Sequence, residues 1–289
     1  MRDNGRWAMG DGRWTIRSLV LALGLLAVAA QPGAAQRRRG NGFDQYFGGD
    51  QDMYQPPAFH GNTPYDGRFT FARIRYRGFA HFGPEGPGWS HDYPDAEENF
   101  TKILKDVTIV RPFLQDGPMV GSVLIALDDP ALFKYPVSYM SEPGGWHPND
   151  KELAGFRAYM LKGGFMIFDD FREGWRGDYD FTNLQQVIGK ALPKAKWVQL
   201  TGNEPIFHSF FDVDLNKAIS GTSAYGTRPP SYWGIYEDND PKKRLMLIAN
   251  VDDDIGESWQ YSATGFVPIA AANETYKLGI NYVIYALTH

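Results

Sequence analysis

The sequence predicts an α/β domain with a doubly wound, mostly parallel sheet and helices on both faces. Three observations carry this expectation. Short apolar runs alternate with helical stretches from about residue 68 onward, the pattern of βαβ units. Two of the runs, VGSVLIALDD and KGGFMIFDDF, are continuously apolar and stop at paired aspartates, as strands buried on both faces do. No internal repeat and no second composition regime follows, so one domain accounts for residues 68–289. Hydrophobic residues make up 43% of the 289-residue chain and charged residues 22%, which supports a folded core.

The elements follow in order. Arg13 and Arg17 precede an apolar run from Leu19 to Ala30, too short to span a bilayer comfortably but suited to a signal peptide. The small residues of PGAAQ place cleavage after Ala35, giving a signal segment at 1–35. Met9 is an alternative start, and an uncleaved anchor is the alternative to cleavage. Export to a periplasm or secretion follows, with no membrane span after cleavage. Residues 36–67, rich in Gly, Pro, Asn, Asp and Gln, read as a flexible linker.

FTFARIRYRG, starting at Phe69, suits a first strand. In DYPDAEENFTKILKDV, Pro94 and the acidic Asp95, Glu97 and Glu98 suit a helix start. Phe100, Ile103, Leu104 and Val107 form its inward face. VGSVLIALDD and PVSYMSEPGGW supply two further strands. NDKELAGFRAYMLKGG is a helix capped by Asn149 or Asp150, with Leu153, Phe156, Met160 and Leu161 inward and Gly163–Gly164 as its stop. FMIF is the next strand. The following helix turns Leu184, Val187, Ile188 and Leu192 inward. KWVQL and RLMLIANV are later strands, and the final helix presents Ile280, Val283, Ile284 and Leu287.

Several chemistries are excluded. The chain has no cysteine, so neither disulfides nor a thiol nucleophile exist. Its net charge of -5 gives no reason to expect a nucleic-acid partner. No phosphate-binding loop, serine elbow or H-E-x-x-H helix occurs. NVDDDIG fails as a calcium loop because its glycine falls one place late and no twelfth-position glutamate follows.

What remains is a set of acidic and aromatic residues at strand ends. Asp128–Asp129, Asp169–Asp170 and Asp252–Asp254 each end or follow a strand, with Glu257 and Trp259 just beyond the last. If those strands are parallel neighbours, the carboxylates line one crevice, where they would bind a divalent cation or raise one another's pKa. The alternative is a series of ordinary turn and capping aspartates. Glu142, Trp146 and His147 lie in a glycine loop between strand and helix. His208 sits among Phe207, Phe210 and Phe211 and would titrate near neutral pH. Adjacent strand residues point oppositely, so only one of Asp169 and Asp170 should face the crevice, with Asp169 preferred.

FARIRYRG, the DYPDAEENF helix start, LFKYPVSYMSEPGGW, KGGFMIFDDF, PIFHSFFDV and the ending YKLGINYVIYALTH resemble the domain of unknown function 4159 family, in order from about residue 69 to 289. A wider likeness is to the class I glutamine amidotransferase-like superfamily, including trehalose-utilisation-type proteins. That resemblance implies a flavodoxin-like sandwich with Asp169 or Asp170 at the nucleophile elbow, where this chain carries neither the amidotransferase cysteine nor the histidine of trehalose-utilisation relatives.

These readings lead first to a binding module for a carbohydrate, peptide or protein. Its ligand residues would be Glu142, Trp146, His147, Asp252, Asp254, Glu257 and Trp259, with Trp175 and Tyr179 as further aromatic surface. The second reading is an extracytoplasmic hydrolase using Asp169, Asp170 and His208 or a divalent metal. The third is a structural component of an exported assembly.

Overall fold

The structure is a computed structural model that describes residues 61–78, 87–113, 121–172, 179–215 and 229–289. The expected signal segment, residues 36–60 of the expected linker, and Trp175 lie outside the described residues.

Seven strands form one sheet: β1 (Phe71–Arg75), β2 (Ser122–Ala126), β3 (Val137–Ser141), β4 (Phe165–Phe171), β5 (Trp197–Gln199), β6 (Ser231–Tyr236) and β7 (Leu245–Val251). Their order is β2-β1-β3-β4-β7-β6-β5. The first five in that order are mutually parallel, and β6 runs antiparallel to both β7 and β5. The helices are α1 (Asp95–Val107), α2 (Asp150–Leu161), α3 (Tyr179–Ala191), α4 (Ile255–Gln260) and α5 (Ile269–Thr288).

β4 is buried along its whole length, and its side chains divide between two hydrophobic clusters. Met166 and Phe168 pack with Phe156 and Met160 of α2 and with Leu184, Val187 and Ile188 of α3. Phe165 and Ile167 pack with Phe100 and Leu104 of α1, Trp259 of α4 and Tyr282 of α5. This period-2 division explains why the FMIF run has no polar residue: both its faces are covered.

Local signals account for the helix starts. Asn149 caps α2 by accepting from the backbone N–H groups of Lys151 and Glu152, and the Glu152 carboxylate returns to the Asn149 N–H, a reciprocal capping box. Val107, Leu161 and Leu287, expected to face inward, are instead exposed at 43%, 60% and 42%. Each lies in the last turn of its helix, so an apolar period continues there without a partner. The strand β6 was not legible in the sequence, since Tyr232, Gly234, Ile235 and Tyr236 are all buried and leave no clean alternation. The last residues of the expected linker are not free. Thr63 N–H donates to the Ser122 carbonyl, and Asn62 exchanges two hydrogen bonds with the Leu124 backbone, which covers the outer edge of β2.

Candidate functional site

The carboxyl ends of β1, β3, β4 and β7, four neighbours in the sheet, share one edge. The connection after β1 supplies His91 and Asp92, the turn after β3 supplies Glu142, the end of β4 supplies Asp169 and Asp170, and the segment after β7 supplies Asp252, Asp253 and Asp254. Backbone bonds tie these segments together. Glu142 N–H donates to the Asp169 carbonyl at 3.1 Å, Asp170 N–H to Asp253 at 3.2 Å, and Asp252 N–H to Phe171 at 2.9 Å. Asp92, Glu142, Asp170 and Asp252 all hold left-handed backbone, with φ of 63°, 46°, 56° and 60°. For residues bearing a Cβ this region is sparsely populated, and it tends to persist where the surroundings enforce it.

The left-handed step at Asp170, with a register shift between Phe168 and Phe171 in the pairing to β7, breaks the strand alternation. Both aspartates therefore reach the site, in different roles. Asp169, fully buried, accepts from Tyr139 Oη at 2.7 Å, Gly256 N–H at 3.0 Å and Asn250 Nδ2 at 2.9 Å. Burial, together with the Asp253 charge, pushes its carboxyl up to about 7 against these stabilising bonds. Asp170 points the other way: its Oδ2 accepts from His91 Nδ1 at 2.7 Å and from Ser141 Oγ at 3.4 Å.

One ligand-type atom each from His91, Asp92, Asp170 and Asp254 lies within 4.8 Å of all the others. Asp92 and Asp254 are each 1% exposed, and Asp170 is 8% exposed. Asp254 caps α4 by accepting from Glu257 N–H at 2.7 Å. Among the described residues, neither carboxylate oxygen of Asp92 accepts a hydrogen bond; His91 Nδ1 lies 3.8 Å from its Oδ1. Burial, with the charges of neighbouring aspartates, holds the Asp92 and Asp254 carboxyls well above the usual range. Burial opposes charge on His91 too, but the hydrogen bond to Asp170 and the charges of Asp92 and Asp170 outweigh it and push the imidazole up to about 10.

A buried arginine props this cluster from below. Arg73 of β1 pairs through Nε with Glu97 of α1, and its Nη1 donates to the carbonyls of Trp89 and His91, at 3.2 and 2.7 Å. Gly256 closes the floor. A Cβ there would meet Tyr139 Oη at 2.5 Å and Asp92 Oδ2 at 2.7 Å, so no other residue fits without displacement.

The remaining expected residues fall elsewhere. His208 stands apart: its Nδ1 is 2.6 Å from Asp212 Oδ1 and its Nε2 is 2.8 Å from the Gly202 carbonyl, so both nitrogens already face acceptors. It borders a cavity of about 380 Å³ that Tyr232 also lines, and Tyr232 Oη donates to Asp253 Oδ2 at 2.8 Å. Trp146 and Trp259, expected as stacking surface, are 0% and 1% exposed. Trp146 packs edge-on to Phe156, and Trp259 lies against Phe100 at 4.4 Å, so both are core. Their large apolar area outweighed the loop positions that suggested a binding role. His147 is exposed, with its backbone N–H on the Arg77 carbonyl. Glu142, Asp252 and Glu257 are half-buried around the cluster. Asp129, after the edge strand β2, only caps the following turn by accepting from Ala131 N–H. The α3 helix includes Tyr179, whose side chain is outside the description.

Sequence reasoning passed over His91, Asp92, Tyr139 and Asn250. The one available signal was SHDYPD, a His-Asp pair before a helix start, read only as the approach to α1.

Among the described residues, no helix is long and apolar enough to cross a membrane. No curated protein matches the chain. The family model described as the domain of unknown function DUF4159 matches residues 70–287, nearly the whole of the described sheet and its helices, and the chain belongs to that family.

Proposed function

We propose that the chain is an exported ligand-binding module on a doubly wound, flavodoxin-like and amidotransferase-like scaffold, with its ligand seated at the carboxyl edge over His91, Asp92, Asp170 and Asp254. The observation that carries this reading is the convergence of four left-handed, non-glycine residues from four separate segments on one edge. Backbone strain of this kind collects where a site must be held in one shape. The strand order supports the scaffold. It reverses at β1, between β2 and β3, and open α/β sheets bind ligands outside the carboxyl ends at such a switch point. Asp170, left-handed at a strand end, has the posture of an elbow residue but offers a carboxylate.

The excess of buried carboxylates over cations selects a ligand that brings positive charge. A carbohydrate or peptide bearing an amine, or one held through a cation, fits this requirement. A hydrolase is the second reading, favoured by the 2.7 Å His91–Asp170 pair.

Thermal denaturation of the full chain against amino sugars, neutral glycans and amine-bearing peptides tests the reading. A ligand should raise the melting temperature of wild type and not of Asp170→Asn. If no compound shifts wild type, or both proteins shift equally, this assignment of the site fails.

A further inference from the structure

We propose that His91, Asp92, Asp170 and Asp254 bind one divalent transition-metal cation. This inference rests on the carboxyl-edge site proposed above and names what supplies its positive charge.

Two independent observations carry it. The first is the donor set: one imidazole nitrogen and three carboxylate oxygens, all within 4.8 Å of one another. Ligands at about 2.1 Å from a six-coordinate ion stand about 3 Å apart when adjacent and about 4.2 Å when opposite. The observed spread exceeds that only slightly, so small side-chain rotations would close it. His91 Nδ1 and Asp170 Oδ2, at 2.7 Å, already have the spacing of adjacent ligands.

The second observation is Asp92. Its side chain is fully buried, yet among the described residues neither oxygen accepts a hydrogen bond. A buried carboxylate without donors is expensive unless a cation or a proton meets it. Arg73 does not bond to it: its Nε pairs with Glu97, its Nη1 donates to the Trp89 and His91 carbonyls, and its Nη2 has no hydrogen-bond partner among the described residues. The Asp92 turn is instead fixed in left-handed backbone, with Asp92 Oδ2 held close over Gly256. The fold thus holds, beside three other donors, a carboxylate that accepts no hydrogen bond among the described residues.

The imidazole decides the class of metal. Calcium and magnesium favour all-oxygen sites, whereas a His-plus-carboxylate set suits manganese, iron, cobalt or zinc. Four protein donors leave open positions on a six-coordinate ion. His91, the most exposed member at 26%, marks the side from which a ligand would complete the shell.

The test uses the full chain freed of metal by a chelator and titrated calorimetrically with MnCl2, ZnCl2, CaCl2 and MgCl2, with manganese also followed by electron paramagnetic resonance. Wild type should bind about one equivalent of manganese or zinc per chain, at least about tenfold more tightly than calcium or magnesium, and melt several degrees higher when loaded. Asp92→Asn should lose at least about tenfold in affinity while its metal-free form melts no lower than wild type, since a buried repulsive charge has gone. Asp254→Asn repeats the measurement should Asp92→Asn prove unstable. No uptake by wild type overturns the proposal, as does unchanged uptake by a folded Asp92→Asn or Asp254→Asn. If metals do nothing but an amine-bearing ligand protects wild type and not Asp170→Asn, the metal is refuted and the ligand site stands. If neither has any effect, both fall.

Discussion

Asp169 shows how much a single carboxylate is shaped by its surroundings. It receives three hydrogen bonds and is still held up to about 7 by burial beside Asp253. Its folded value lies above the unfolded value of about 3.9, so the protein binds more protons folded than unfolded between those values. The stability it contributes is fully present below about pH 4 and is lost as pH rises through about 7. Asp92 and Asp254 shift in the same direction. The chelated chain should therefore lose melting temperature between pH 5 and pH 8. Asp169→Asn should make that fall shallower without abolishing it, as a calorimetric pH series would show. Arg73 and Glu97 make the opposite case, a buried pair whose charges answer one another. Glu97→Gln leaves the guanidinium without its main counter-charge and should cost about 3 kcal/mol in urea denaturation, as breaking buried pairs does. Arg73→Met should cost a similar amount and also release the His91 carbonyl.

Elements are held in place here by close approaches that the sequence records only as glycines. Gly155 brings α2 against the chain leaving β2: a Cβ there would lie 1.9 Å from the Leu127 carbonyl oxygen. Gly279 lets α5 pass Trp259 and Phe100, where a Cβ would meet side-chain carbons at 2.4 and 2.7 Å. Gly279→Ala meets ring atoms that can shift and should cost about 1–3 kcal/mol, the usual penalty of overpacking. Gly155→Ala meets backbone, and should destabilise more than Gly279→Ala in the same denaturation experiment. The α2 start is a milder case. Asn149→Ala removes both acceptor bonds of the capping box and should lower stability by about 1 kcal/mol.

At the scale of the whole molecule, the proposed export and the seven-stranded sheet make separate claims. Residues 1–35 read as a signal segment with cleavage after Ala35. Expression in a bacterial host followed by N-terminal sequencing of the extracytoplasmic fraction should find a chain beginning at Gln36; a chain retained in the cytoplasm and beginning at Met1 or Met9 would refute export.

The sequence by itself determined most of the parallel sheet and its helices, because apolar runs and 3.6-residue periods are local properties of the chain. FMIF and LMLIA read as strands for the same reason that they are buried: both faces of each are covered. It also delivered the acidic edge, since Asp169, Asp170 and Asp254 stop or follow those strands. Only the tertiary structure decided which carboxylates meet. Strand order brings β1, β3, β4 and β7 side by side, and no local pattern encodes that order. The left-handed step at Asp170 sends adjacent aspartates to different partners, against the alternation that their spacing implies. His91 and Asp92 enter the site from the approach to α1, more than 75 residues from Asp170, joined to it by the fold alone. Trp146 and Trp259 were set in the core by the area they bury, although their loops looked like binding loops.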